Sequence, residues 1–307
     1  MLNASVIASL APRLSRLLAI GSVVAACSAA GCAAASGHPP RSGPARAGTA
    51  PSWAMPAVAG DPRRLAALLT TAESVLGQGG APAAAMDRQA LLVQLACLRI
   101  TAHPGWADAV IRRVAPAQRA AAEADIAASA DLTSLAPPSA RLPRWRIVAA
   151  KNLAALRADY RAAEAATGVA WFYLAAINFV ETDFGRINGP SSAGAQGPMQ
   201  FLPSTWKIYG HGDIYRTRNA IFAAARLLAD HGAPGDIGSA LHAYNPSWRY
   251  VDAVRRYAER LRDHPRALPG YYHRRILYHL HRGWVLLPRG YGINPAARPI
   301  PLTFVPR

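Results

Sequence analysis

Apolar residues recur at helical spacing over residues 61 to about 168. Leu65, Leu68, Leu69 and Val75-Leu76 share one helix face, and Leu91, Leu92, Leu95 and Leu98 share another. The run over 143–167 predicts a further helix, with Pro143 suited to its first turn and Gly168 to its C-terminal cap. No alternating strand pattern and no internal repeat interrupts this part. A second helical block covers about 169–264. Its spacing predicts helices over 170–184, over 219–229 (stopped by Gly232 and Pro234), over 237–243, and from an N-cap at Ser247 through Arg262. The predicted class is all-α. Between the first two helices of this block lies a loop over 185–203, dense in Gly, Ser and Pro. Long loops inside compact domains are usually functional.

The ends of the chain read differently. Arg13 and Arg16 precede an apolar stretch over 17–26 that ends in Val24-Ala25-Ala26-Cys27. This has the form of a secretory signal, too short to span a bilayer as a mature helix. The tetrapeptide resembles a bacterial lipobox with Cys27 as the lipidated residue; Cys32, after Ala29-Ala30-Gly31, is a weaker second candidate. An ordinary cleaved signal is the alternative. The expected organisation is then a signal peptide over 1–27, an Ala/Pro/Gly/Ser-rich tether over 28–58, an N-terminal helical region over 59–168, a second helical domain over 169–264, and a basic, aromatic extension over 265–307. That extension holds seven arginines and no acid. We read it as an irregular wrap around the helical core; the alternative is a surface that grips a glycan or an anionic polymer.

The formal net charge is +17, with Lys151 and Lys207 the only lysines among 34 basic residues. Such a charge attracts nucleic acid, an anionic membrane or an anionic cell wall. Export excludes the nucleic acid and predicts a cell-envelope or extracellular location, membrane-attached through the lipid. Cys97, alone in the mature body, sits in an apolar helical pattern and reads as a small buried hydrophobe. Neither a disulfide framework nor a zinc-type Cys/His spacing is present.

Glu181 is the sharpest chemical feature. Ile177 and Leu174 stand four and seven residues before it, so it projects from a stripe of buried-type residues. A carboxyl held against apolar surface loses solvation, and its pKa rises. A general acid for a glycosidic oxygen needs that property. A helix-end glutamate that simply turns to solvent is the bland alternative.

Three segments follow Glu181 in order. They are Glu181-Thr182-Asp183-Phe184-Gly185, then Ser191 through Gly197-Pro198-Met199-Gln200 to Trp206, then Ala243-Tyr244-Asn245. Together they resemble the lytic transglycosylase domain of the SLT type, related to goose-type lysozymes, over roughly 169–261. The resemblance implies a lysozyme-like helical catalytic domain with an added N-terminal helical segment. It implies Glu181 as the catalytic acid/base, and Ser191, Met199, Gln200, Tyr244 and Asn245 as glycan-binding residues. Thr182 stands where the family has Ser, and Pro198 where it has Leu; the first keeps a hydroxyl, the second stiffens the loop. Met199 and Phe201 offer apolar surface to a sugar, or belong to the core.

Glycosidases usually employ two carboxyl groups, about 5–5.5 Å apart for retention and about 6.5–9.5 Å for inversion. Asp183 is two residues from Glu181 and points elsewhere on a helix. Asp213, Asp230, Asp236 and Asp252 read as turn, cap or surface residues. One carboxyl is then the natural proposal, and the resemblance implies non-hydrolytic cleavage of the N-acetylmuramic acid–N-acetylglucosamine bond of peptidoglycan, with no metal or cofactor. A hydrolytic muramidase and a catalytically silent wall-binding lipoprotein are the competing readings.

Overall fold

The computed structural model describes residues 58, 60–78, 80–103 and 105–302. Cys27 and Cys32, with the signal segment and nearly all of the tether, lie outside the described residues.

The described chain is mostly helical. It runs through α1 (Pro62–Gln78), α2 (Ala83–Thr101), α3 (Trp106–Ile111), α4 (Pro116–Ser134), β1 (Arg146–Ile147), α5 (Leu153–Thr167), α6 (Trp171–Thr182) and β2 (Ile187–Asn188). Then come α7 (Pro203–Tyr209), α8 (Thr217–Asp230), α9 (Ile237–Tyr244), α10 (Trp248–Asp263), a 3-10 turn, α11 (Leu268–Tyr272), β3 (Ile276–Leu280), β4 (Gly283–Leu287) and β5 (Ile300–Pro301).

α6 is the axis of the fold. Apart from Phe172 and Tyr173, every residue of it is buried. A helix that is apolar all round needs cover all round, and α5, α8 and α10 supply it. Of the three hydrophobic cores among the described residues, two are built mainly from helices. The larger joins one side of α2 and α4 to α5, α6, α8, α9, α10 and residues of the C-terminal segment. The smaller joins α1 and α3 to the other side of α2 and α4. Packing thus runs unbroken across residue 168: α5, on the N-terminal side of it, shares the larger core with α6.

Two segments differ from the sequence expectation. The helix expected over 143–167 begins only at Leu153. The Asn152 side chain caps it, accepting from the Ala154 and Ala155 N–H groups at 2.9 and 3.4 Å, and Gly168 closes it at φ 76°. Asn152→Ala should lower stability by about 1 kcal/mol, measured as a urea midpoint shift at unchanged slope. Upstream, Trp145 and Ile147 are buried while Arg144 and Arg146 face out. That is a strand's alternation, and β1 pairs antiparallel with β2.

The second difference is the C-terminal extension, which is folded rather than irregular. β3 and β4 form an antiparallel hairpin extended by β5. Leu277, Trp284 and Leu286 enter the larger core. Ile276, Tyr278, Leu280, Val285 and Leu287 close on Trp145, Ile147 and Ile187 from the opposite side. Both faces are covered, so the strands carry no alternation to read.

A buried ionic network fastens the ends together. Asp125 on α4 accepts from Arg274 Nη2 at 2.6 Å, Arg260 Nη1 at 3.4 Å and the Tyr271 hydroxyl at 3.0 Å. Arg260 on α10 also pairs with Glu73 on α1. Burial pushes the Glu73 carboxyl up to about 7 while Arg260 pulls it down. The Arg274 guanidinium lies over the rings of Tyr271, Phe179 and Tyr257 at 4.8, 5.4 and 5.6 Å. Phe179 belongs to α6, so the network reaches the central helix. Cys97 is buried beside it, its thiol held protonated by burial.

Candidate active site

Glu181 sits in the last turn of α6, 1 % exposed, with Ile177 and Leu174 fully buried behind it. Its Oε1 accepts the Tyr250 hydroxyl at 2.7 Å. Its Oε2 meets no hydrogen-bond partner among the described residues. Burial pushes the carboxyl from its ordinary 4.5 up to about 8, and the Tyr250 hydrogen bond pulls it part of the way back. At neutral pH the group is mostly protonated and has one oxygen free.

Past Glu181 the backbone turns sharply. Asp183 (φ 51°) and Phe184 (φ 63°) both adopt the left-handed conformation, as does Gln200 (φ 48°) in the facing loop. Side-chain-bearing residues enter this region at a cost and cluster where the surrounding structure demands it. Asn178 and Thr182, on the same helix as Glu181, supply that demand. The Asn178 amide (2.9 Å) and the Thr182 hydroxyl both donate to the Pro198 carbonyl, and Thr182 Oγ1 accepts the Gly185 N–H at 2.9 Å. The hydroxyl that Thr182 retains is therefore in use. Pro198 serves through its carbonyl, an atom that does not depend on the side chain. At Gly197 (φ 76°) a Cβ would stand 2.2 Å from the Ile214 carbonyl, so glycine is required there by the neighbouring loop.

The six site residues expected from sequence fall into three groups. Glu181, Gln200 and Asn245 carry buried polar atoms without partners among the described residues: Glu181 Oε2, Gln200 Oε1, and both Asn245 side-chain nitrogen and oxygen atoms. Buried groups of this kind are uncommon and call for a reason; a polar ligand reaching them would meet one acid oxygen and amide donors and acceptors. Tyr244 donates its hydroxyl to the Met199 carbonyl and lies parallel to Tyr250 at 6.4 Å. It contacts the acid's hydrogen-bond partner and leaves the acid to Tyr250. Ser191 and Met199 are occupied locally. Ser191 Oγ accepts the N–H groups of Ala193 and Ala195 at 3.2 and 3.0 Å, and the Met199 side chain, like Phe201, belongs to the larger core.

Tyr250 is the residue the sequence reading missed. Its signal was the cap: Ser247 Oγ accepts the Tyr250 N–H at 3.4 Å, which makes Tyr250 the third residue of α10. Helical side chains lean towards the N-terminus, so this ring points back at the Tyr244-Asn245 turn.

Asp183 is the nearest other carboxylate in sequence, buried and pushed up to about 7. The charges acting on it are those of Arg186, Arg274 and Arg275, and Arg186 Nη1 lies 3.4 Å from Oδ2. Glu181 is influenced by burial and Tyr250 alone. The two acids work in separate surroundings. Among the described residues, no group of three or more His, Cys, Asp or Glu is placed to hold a metal ion, and no helix is long and apolar enough to cross a membrane. Comparison with protein-family models, with curated proteins and with solved structures finds no match to this chain.

Proposed function

We propose that the protein is a peptidoglycan lytic transglycosylase with a lysozyme-like helical catalytic region, and that Glu181 is its single acid and base. The observation that carries this reading is a fully buried carboxyl, its pKa raised by burial, with one oxygen fixed by Tyr250 and, among the described residues, no partner for the other oxygen and no second carboxylate acting on it.

In the proposed reaction Glu181 protonates the glycosidic oxygen between N-acetylmuramic acid and N-acetylglucosamine, and that C–O bond breaks. The substrate's N-acetyl carbonyl stabilises the positive charge developing at C1, in place of a second carboxylate. The ionised Glu181 then removes the proton of the muramyl 6-hydroxyl, whose oxygen bonds to C1 and closes a 1,6-anhydro ring. Glu181 regains its proton, and no water is consumed. Gln200 Oε1 and the Asn245 side-chain amide, without partners among the described residues, suit the substrate's hydroxyl and acetamido groups. The same reading has the chain exported and anchored through Cys27. It keeps the positive surface for the anionic wall rather than nucleic acid, with binding that weakens as salt is added.

Digestion of purified peptidoglycan followed by product mass analysis is the test. Anhydro-ended muropeptides are expected. Reducing ends would make the protein a hydrolytic muramidase, and sacculi that bind the protein but stay intact would make it a silent wall-binding module.

Tyr250→Phe tests the acid's setting. The Tyr250 hydroxyl favours the ionised carboxylate, so its loss should raise the Glu181 pKa further. The alkaline limb of the kcat/KM profile, expected near pH 8, should then move upward, read from rates between pH 6 and pH 10. An unmoved limb would remove Tyr250 from this role.

A further inference from the structure

A groove of about 790 Å³ opens on the other side of the loop that carries Gln200. Arg144, Trp145, Arg146, Asn188, Tyr215 and Tyr291 are among the residues that line it. Arg144, Trp145, Arg146 and Tyr291 lie outside the residues that carry the family resemblance, and Glu181 does not line the groove. Its walls are tied together. The Tyr291 hydroxyl donates to the Pro143 carbonyl at 2.7 Å, and the Trp145 indole N–H donates to the Pro190 carbonyl at 3.2 Å. Tyr215, 56 % exposed, donates its hydroxyl to Gln196 Oε1 at 2.9 Å. The Gln200 amide reaches the Gly189 carbonyl at 3.5 Å, which joins the groove's rim to the candidate active site.

The charge in this groove is unopposed. Arg144 and Arg146 are exposed, and neither forms an ion pair among the described residues; Arg146 touches only the Asn188 amide oxygen, at 3.5 Å. No acidic residue lines the groove. Asp213, which holds the Tyr215 N–H at 2.8 Å, faces Arg216 at 3.9 Å. Two exposed guanidiniums without an ion-pair partner among the described residues, beside the exposed Tyr215 ring, suit an extended chain that carries carboxylates and small apolar side chains.

We propose that this groove binds the carboxylate-bearing peptide that hangs from the muramyl residue of the substrate, and so sets a preference for peptide-substituted glycan. The proposal rests on the reading of the protein as a peptidoglycan enzyme, and it gives the 143–146 segment and the C-terminal extension a role in substrate choice. Calorimetry with the full-length Glu181→Gln protein tests it, using a disaccharide that carries a tetrapeptide and the same disaccharide without one. The peptide-bearing form should bind roughly tenfold more tightly, and Arg144→Gln/Arg146→Gln in the same background should bring the two affinities together. Equal affinities at the start, or a preference that survives loss of both arginines, would overturn it. So would arginine-dependent binding of a polyphosphate chain without any peptide preference, which would give the groove to a phosphate polymer. Wild-type cleavage of sacculi without a peptide preference rejects the groove and spares the enzyme assignment. An arginine-dependent peptide preference in a protein that cleaves nothing does the reverse.

Discussion

Glu181→Gln is expected to lower cleavage of purified peptidoglycan by roughly 10²–10⁴-fold or more, the range spanned by removal of a general acid or base. Both roles fall on one residue in the proposed chemistry, so the upper end applies. The amide keeps the volume of the carboxyl and can still accept the Tyr250 hydroxyl, so the fold should persist. A thermal comparison makes this checkable. The unfolded carboxyl ionises near 4.5 and the folded one near 8. Between these values the folded state holds a proton that the unfolded state has lost, so wild-type stability falls as pH rises through the window. Glutamine does not titrate. The variant should melt at or above the wild-type temperature, with a gap that widens from pH 5 to pH 8. Retained cleavage by a folded Glu181→Gln protein would sink the assignment; a variant that melts well below the wild type would show that the acid is structural.

Arg274→Met should lower the unfolding free energy by about 3–5 kcal/mol, the cost of breaking one side of a buried ion pair. Total stabilities are only about 5–15 kcal/mol. Arg274 is 6 % exposed, and Asp125 stays behind with a 3.4 Å contact to Arg260 and the Tyr271 hydroxyl. Three aromatic rings lose the cation that lies over them. Pairing the change with Asp125→Asn separates contributions: the double variant should be less destabilised than the two single losses summed, because no buried carboxylate is stranded. Chemical denaturation at pH 7 measures all three. A loss under about 1 kcal/mol for Arg274→Met would mean that the network closes without it.

Those two residues mark what a linear reading reaches. Glu181 was legible because its burial follows from period alone: Ile177 and Leu174 set the stripe and the carboxyl lies on it. Helix ends were legible where a residue carries the reason locally, as Gly168 and Ser247 do. Arg274 was not, since apart from Tyr271 its partners stand on α4, α10 and α6, and nothing near it in sequence announces them. Pro143 misled for a related reason. Proline suits a helix start, yet β1 is fixed by its pairing with β2, some forty residues on. The β3–β4 hairpin was hidden by burial on both faces. Tyr244 and Tyr250 show the limit within the site itself. Tyr244 was in view and Tyr250 was not, and only the geometry of α10 shows that the second of them holds the acid.

The ionic network also has a consequence in time. Arg260 reaches Glu73 across 187 positions of chain, and Arg274 reaches Asp125 and the α6 ring of Phe179. Contacts of such long range form late, because the intervening chain has to be closed first. A ribosome that has delivered α6 has delivered the acid but not its support, which arrives only with the final few dozen residues. The growing polypeptide therefore carries Glu181 in an unbraced helix until those last residues are made, and the fold around it closes as one late event.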